Sequence, residues 1–170
     1  MHEPVPSRPP YAAGYTAGPD DPFEPGTWAE IAAQLERARN YWVSTTRAGG
    51  RAHATPVWGL WLEGAVWFST SPDSVKARNL QHEPRCVIHL ESGDDAVILE
   101  GACERVEALA PDVASTVQQF VTDYKAKYDI EVDVSDPQFG LYRLAPRTAL
   151  TWREQNFPNS NARWNFAKPS

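Results

Sequence analysis

Cysteine is nearly absent from this 170-residue chain: Cys86 and Cys103 are the whole supply. Two cysteines cannot frame a disulfide-stapled fold, and no C-x-x-C pair offers a zinc site. Each lies in a run that reads as strand, so both are expected as buried thiols. A surplus of positive charge is missing too. The net charge of −6 and a pI near 5.2 argue against nucleic acid as a partner, because phosphate backbones call for a basic face. No run approaches the roughly 18–20 apolar residues that span a bilayer. Residues 1–10 hold an early acid and four prolines, without the apolar core of a signal peptide. A soluble, cytoplasmic protein is therefore expected, with no membrane partner. G-x-S-x-G, Walker-type and G-x-G-x-x-G signatures are all missing, which weighs against a nucleophile elbow, a P-loop and a Rossmann site. His2, His53, His82 and His89 share no ligand spacing, so no metal site is expected. Lysine is scarce while alanine, arginine, glycine and proline are plentiful, a bias that fits a GC-rich genome.

What is present describes one well-packed domain. Apolar residues make up 42% of the chain, with 7 Trp, 6 Tyr and 6 Phe, enough for a single sizeable core. Residues 1–26, rich in Pro and Gly and carrying Tyr11, Tyr15 and Phe23, read as an extended arm lying across a surface. Residues 27–170 form the domain, with no internal repeat. Thr27 to Glu30 fits a capping box, and Trp28, Ile31, Ala32, Leu35 and Ala38 share one face, which predicts a helix over 27–39. From Tyr41 the period becomes extended. Strands are predicted at 41–46, 52–62 and 65–69, joined by Gly-containing turns. A short helix at 72–81 precedes strands at 85–91 and 96–107. Pro111 opens a long helix to about Tyr128. Phe139–Leu144 and Thr148–Arg153 read as two last strands around Ala145-Pro146-Arg147. Six or seven antiparallel strands with interspersed helices imply an α+β barrel or strongly curled sheet.

Three regions carry candidate chemistry. The first is the strand-to-helix break from Val66 to Leu80. A helix N-terminus offers free N–H groups and the positive end of the helix dipole. Thr70, Ser71, Ser74, Lys76 and Arg78 gather there, which suits a phosphate. The same residues also fit an ordinary capped helix, with Ser71 as N-cap, Pro72 at the first position and Asp73 at the positive end. Both readings stay open on the residues alone. The second region is the strand from Ala52 to Leu62. Alternation puts Arg51, His53, Thr55, Val57, Gly59 and Trp61 on one face, and Ala54, Pro56, Trp58 and Leu60 on the other. Pro56 marks an edge, a bulge or a place where another molecule meets the backbone. The third is the aromatic, Arg-bearing C-terminus, with Trp152-Arg153 and Arg163-Trp164-Asn165-Phe166. It reads either as a tail packed on its own sheet or a second subunit, or as a closure over a flat ring and its phosphate.

Together these regions resemble the pyridoxamine 5′-phosphate oxidase-like split β-barrel family, in its flavin/deazaflavin oxidoreductase branch. The likeness runs from about Trp28 to Phe166 and is carried by four segments. These are Gly50 to Trp58; Trp67-Phe68-Ser69-Thr70 leading to Ser74–Leu80; Asn79 to Pro84 running into Arg85-Cys86-Val87; and Ala162 to Phe166. The resemblance implies a six-stranded antiparallel split β-barrel with flanking helices. It also implies a homodimer with two cofactor sites at the interface. His53, Thr55, Pro56, Val57 and Trp58 would then line the cofactor ring. Thr70, Ser71, Ser74, Val75 and Lys76 would hold its phosphate, with Arg78 and Asn79 nearby, and Trp152 and Arg163 would reach it from the C-terminal region.

The implied activity is hydride transfer between F420, the favoured deazaflavin, or FMN and a small organic substrate. For the acidic tail of F420 the available cations are Arg47, Arg51, Lys76 and Arg78. Trp58, Trp61 and Trp152 are candidate walls of the substrate pocket. His53 and Tyr41 are candidate proton donors, with no catalytic residue assigned. Pyridoxamine phosphate oxidases carry an Arg-x-His pair before the closing arginine. Here Pro158-Asn159-Ser160-Asn161 stands there, so vitamin B6 oxidation is not expected. The rival readings are a non-catalytic flavin-sequestering protein and a haem-binding barrel with His53 or His89 as axial ligand.

Overall fold

The computed structural model describes residues 3–10, 18 and 20–167. Tyr11 and Tyr15 of the expected arm, and His2, lie outside the described residues. Among the described residues eight strands form one antiparallel sheet: β1 (Val5–Ser7), β2 (Asn40–Thr46), β3 (Ala52–Leu62), β4 (Ala65–Thr70), β5 (Arg85–His89), β6 (Asp95–Val106), β7 (Gly140–Arg153) and β8 (Ala162–Asn165). Their order is β1-β8-β7-β4-β3-β2-β5-β6, and β6 also pairs with β7. That last pairing closes six strands into a barrel, as the resemblance implied. Strand β7 is shared: residues 140–144 pair with β4, residues 148–151 pair with β8, and β6 runs along the other edge. Strand β1 extends the sheet beyond β8, so part of the arm is docked as a strand.

Among the described residues four helices flank the barrel: α1 (Trp28–Arg37), α2 (Val75–His82), α3 (Ala114–Tyr128) and α4 (Phe157–Ser160). The capping box at α1 forms as predicted: Glu30 N–H donates to Thr27 Oγ1 (3.2 Å) and Thr27 N–H to Glu30 Oε2 (2.8 Å). Among the described residues no helix is long and apolar enough to cross a membrane.

The barrel interior is filled from alternate positions of the strands, with Tyr41, Val43, Val66, Phe68, Ile88, Leu99 and Leu144 fully buried. Trp28 covers one end, its ring against Trp61, Trp164 and Phe166. Cys86 and Cys103 are free and buried in this core. A second cluster lies outside the barrel wall, where Val117, Phe120, Tyr124 and Tyr128 of α3 pack on Leu60, Trp67 and Leu141.

Two boundaries differ from the sequence expectation for physical reasons. The two strands expected around Pro146 are one, because β6 pairs continuously past it with a bulge: Gly101 faces Pro146, Glu100 faces Thr148, and Arg147 is the extra residue. Pro146 sits between the β4-paired and β8-paired parts of β7, where only β6 flanks the strand, so its missing N–H is tolerated. Helix α3 starts at Ala114 because residues 111–113 are used in turns.

Strand β3 changes partners at Gly59. It pairs with β2 through Trp58 and with β4 from Gly59 onward. A Cβ at Gly59 would lie 2.7 Å from the Trp67 carbonyl oxygen, so only glycine fits this approach. Beyond the end of β2, the Tyr128 hydroxyl takes the place of a neighbouring strand. It accepts from Gly59 N–H (3.0 Å) and lies within donating distance of Gly59 O (2.7 Å) and Arg39 O (2.8 Å). Burial pushes the Tyr128 phenol up to about 12. Tyr128→Phe is expected to cost about 1–3 kcal/mol in urea unfolding at neutral pH, the penalty for a buried N–H left without its acceptor. Because the folded phenol is the harder one to ionise, stability falls from about pH 10 upward as the unfolded chain releases that proton. That part of the alkaline loss is absent from the variant.

Candidate functional site

The break between β4 and α2 is built from hydroxyls. Thr70 ends β4 opposite Gly140. Ser71 O accepts from Ser74 N–H (2.9 Å) and Ser71 Oγ from Asp73 N–H (3.2 Å), closing a tight turn around Pro72. Ser74, not Ser71, is the N-cap, its Oγ accepting from Ala77 N–H (3.1 Å). The correction has an electrostatic consequence. Asp73 falls outside the helix and is exposed, and the first turn of α2 holds no carboxylate. The positive end of the helix is therefore not already neutralised. Thr70 Oγ1 lies 3.1 Å from Ser74 Oγ, and Lys76 Nζ donates to Thr70 Oγ1 (3.3 Å). Lys76 is half-buried, and burial alone pulls its ammonium below the usual lysine range. Arg78 is exposed and donates back to the Asp73 carbonyl.

Strand β3 forms the facing wall. Its alternation holds: Val57, Gly59 and Trp61 are buried on the inner face, while Ala54, Pro56 and Trp58 are exposed on the outer. His53 and Thr55 belong to the inner set. Among the described residues, His53 Nδ1 and Thr55 Oγ1 are both buried without a hydrogen-bond partner. Burial first, then the charges of Arg47 and Lys76, hold the His53 imidazole below its ordinary range. Asn79, expected beside the phosphate, is buried and structural: its Nδ2 donates to Thr45 Oγ1 (2.9 Å), which in turn donates to His53 O (3.4 Å). This relay fixes α2 to β2 and β3. The sequence reading missed Thr45, although it is the one polar residue in the inward series Tyr41, Val43, Thr45.

The remaining expected residues lie elsewhere. Trp58 faces outward, stacked on Tyr128 with centroids 4.8 Å apart and covered by Arg39. Trp61 is in the core against Trp28, away from the Thr70–Lys76 break. Tyr41 is fully buried and its hydroxyl donates to Leu35 O (2.5 Å), which removes it as a proton donor. Arg163 lies on β8 with its guanidinium 3.4 Å from Thr148 Oγ1. It lines a cleft of about 570 Å³ with Ser44, Thr46, Glu100 and Arg147. Trp152 sits against Phe157 and lines a separate hollow of about 280 Å³ beside α1. A single chain thus brings β3 and the α2 N-terminus together, but not Trp152 or Arg163.

A six-stranded antiparallel barrel, parted along β7 and opened at the β4–α2 break, defines the split-barrel class. Within it, the chain belongs to the pyridoxamine 5′-phosphate oxidase family, whose model matches residues 27–153. No curated protein matches the chain. Among solved structures, a conserved hypothetical protein from Mycobacterium tuberculosis is similar with a TM-score of 0.64 at 24% identity, over 79% of this chain and 91% of that one. An F420 reductase is similar with a TM-score of 0.54 at 18% identity, over 69% and 93%. A heme binding protein from Mycobacterium smegmatis is similar with a TM-score of 0.59 at 22% identity, over 75% and 54%. At these identities the likeness establishes the fold.

The Asn79–Thr45 bond predicts an effect that needs no ligand. Asn79→Ala leaves the buried Thr45 hydroxyl without its donor and is expected to lose about 1–3 kcal/mol in urea unfolding of the cofactor-free protein. An unchanged midpoint would return Asn79 to a purely ligand-facing role.

Proposed function

We propose that the chain is an oxidoreductase that binds a phosphate-bearing flavin-type cofactor, with the deazaflavin F420 favoured over FMN, and acts on a small organic substrate. The observation that carries this reading is the pair of buried, unpartnered atoms on β3, His53 Nδ1 and Thr55 Oγ1, with the half-buried Lys76 close enough for its charge to act on the His53 ring. Buried polar groups are nearly always satisfied, so two unsatisfied ones side by side on one strand face are candidate contacts for a ligand's polar atoms. The residues fit a phosphate on one side and a polar ring edge on the other.

When bound, the cofactor supplies hydride transfer. The chain's own residues bind and orient it. Lys76 neutralises phosphate charge, and Thr70 and Ser74 offer hydroxyl donors. The first N–H groups of α2, that of Val75 included, point from the positive helix end. Thr55 and the backbone from Pro56 to Trp58 would set the ring edge. Arg47 and Arg51 immediately precede this wall and Arg78 lies on α2, and these cations support a cofactor with an acidic tail.

The homodimer belongs to the same proposal. A row of paired residues runs round the outer barrel face from Pro56 through Trp42, His89, Ile98 and Leu150 to Arg163. Apart from the exposed Pro56, all are half-buried in the single chain. Pairing of two such faces would let Trp152 and Arg163 of a second copy reach the cofactor. Vitamin B6 oxidation is set aside because Phe157–Ser160 and Asn161 carry no cation.

Titration of the purified protein with F420 and with FMN tests this reading. Lys76→Ala is expected to weaken binding by about 1.5–3 kcal/mol, or about 10- to 150-fold, the scale of a charge-assisted hydrogen bond. Unchanged affinity in a folded variant would remove the phosphate assignment. Tight FMN binding without F420 affinity would reverse the choice of cofactor. Binding without hydride transfer to any acceptor would make the chain a sequestering protein, and a Soret band on purification would make it a haem protein.

A further inference from the structure

Histidine 53 is the one titratable group of the β3 wall whose buried ring nitrogen has no partner among the described residues. The charges acting on its ring are both positive: Arg47 from the β2–β3 turn and Lys76 from α2. The elements packed around it otherwise present neutral groups, Thr45 from β2 and Asn79 from α2, already bonded to each other. Arg78 is turned back onto the Asp73 carbonyl. Among the described residues no carboxylate acts on the ring, so protonating it in the free chain would add a third positive charge without a counter-charge.

We infer that His53 is a proton-accepting contact of the phosphate seat, standing neutral between Arg47 and Lys76 in the free chain and taking a proton from solvent when a phosphate-bearing ligand enters. The inference rests on the proposed cofactor reading and adds a chemical role to one of its residues. The physics is a change of sign in the local field. An entering phosphate brings negative charge and acceptor oxygens to a place that has two cations and an unpaired imidazole nitrogen. It raises the proton affinity of that imidazole at the moment it binds. One proton moves from water to the ring, and the ring then donates to a phosphate oxygen. Binding should therefore tighten as pH falls through the histidine range.

The experiment is calorimetric titration of F420 and of FMN into the wild-type chain and His53→Gln, in buffers of different ionisation enthalpy, between pH 6 and 8.5. The phosphate of FMN, whose second ionisation lies at about 6, releases protons on binding to cations. That contribution is common to both proteins and cancels in their difference. The expected result is that wild type takes up a fraction of a proton more than the variant, most near the ordinary histidine value of about 6.5, falling to nothing by pH 8.5. The His53 side-chain NMR titration of the wild type should shift to higher pH on saturation, a readout that holds even where the variant folds poorly. Binding with equal proton uptake in both proteins and an unmoved His53 titration would overturn the inference and leave the cofactor reading intact. Failure of wild type to bind either probe would overturn both.

Discussion

The change of partner by β3 at Gly59 is the constraint on which the rest of the structure depends. A strand that stayed beside β2 and β4 over its whole length would leave no gap in the barrel wall. Because β3 pairs with β2 up to Trp58 and with β4 only from Gly59, β4 leaves the sheet at Thr70 beside an open stretch of β3. Helix α2 follows this point, packs on β2 and sets Lys76 close enough for its charge to act on the His53 ring. The parting exposes backbone groups of Gly59 that no strand can satisfy, and the Tyr128 hydroxyl on α3 satisfies them. Lys127 adds a second donor to the Gly59 carbonyl. A helix on the outside of the barrel therefore satisfies the backbone groups that the change of partner leaves open.

The barrel was legible in the sequence because its signals are local. Period-2 alternation in 41–46 and 52–62, Glu63-Gly64 as a turn, and a capping box at Thr27 each act over a few residues, and each appears where expected. What was not legible depends on distant partners. Pro146 reads as a strand breaker, yet β6 spans it and the open flank of β7 tolerates it. The N-cap of α2 was expected at Ser71, because Pro72 and Asp73 after it suit a first turn. The hydroxyl that reaches an N–H three residues on decides it, and that is Ser74. Trp58 and Trp61 alternate as predicted, but which face carries α3 and which the core was set by Tyr128 and Trp28, far away in sequence.

The site was legible in part for a related reason. Thr70, Ser74 and Lys76 lie within seven residues, so one local turn assembles them. Placing His53 and Thr55 opposite them takes the whole barrel, since α2 returns to β3 only through the Asn79–Thr45 relay. Trp152 and Arg163 illustrate the limit. Both lie near the C-terminus in sequence, but β7 carries Trp152 towards α1, and β8 carries Arg163 back to the outer face beside Thr148.

The division between polar groups that the fold uses and those it leaves over is the sharpest guide to chemistry in this chain. Asn79, Thr45, Ser74 and Tyr128 are all buried or half-buried, and each has found an internal partner that closes a turn, caps a helix or joins two elements. They explain why α2 stands where it does. Lys76 has a single hydroxyl contact for three ammonium protons, and His53 Nδ1 and Thr55 Oγ1 have none among the described residues. A protein with a net charge of −6 gains nothing in solubility by burying a lysine and leaving it under-bonded beside a histidine. Desolvation opposes the arrangement, and the depressed proton affinities of both groups record that opposition. An anion removes it. Four buried side-chain atoms lack a hydrogen-bond partner among the described residues: Arg143 Nε, which is ion-paired with Glu104, and Asn161 Oδ1 lie elsewhere, while His53 Nδ1 and Thr55 Oγ1 share the β3 face that a phosphate and a polar ring edge would relieve.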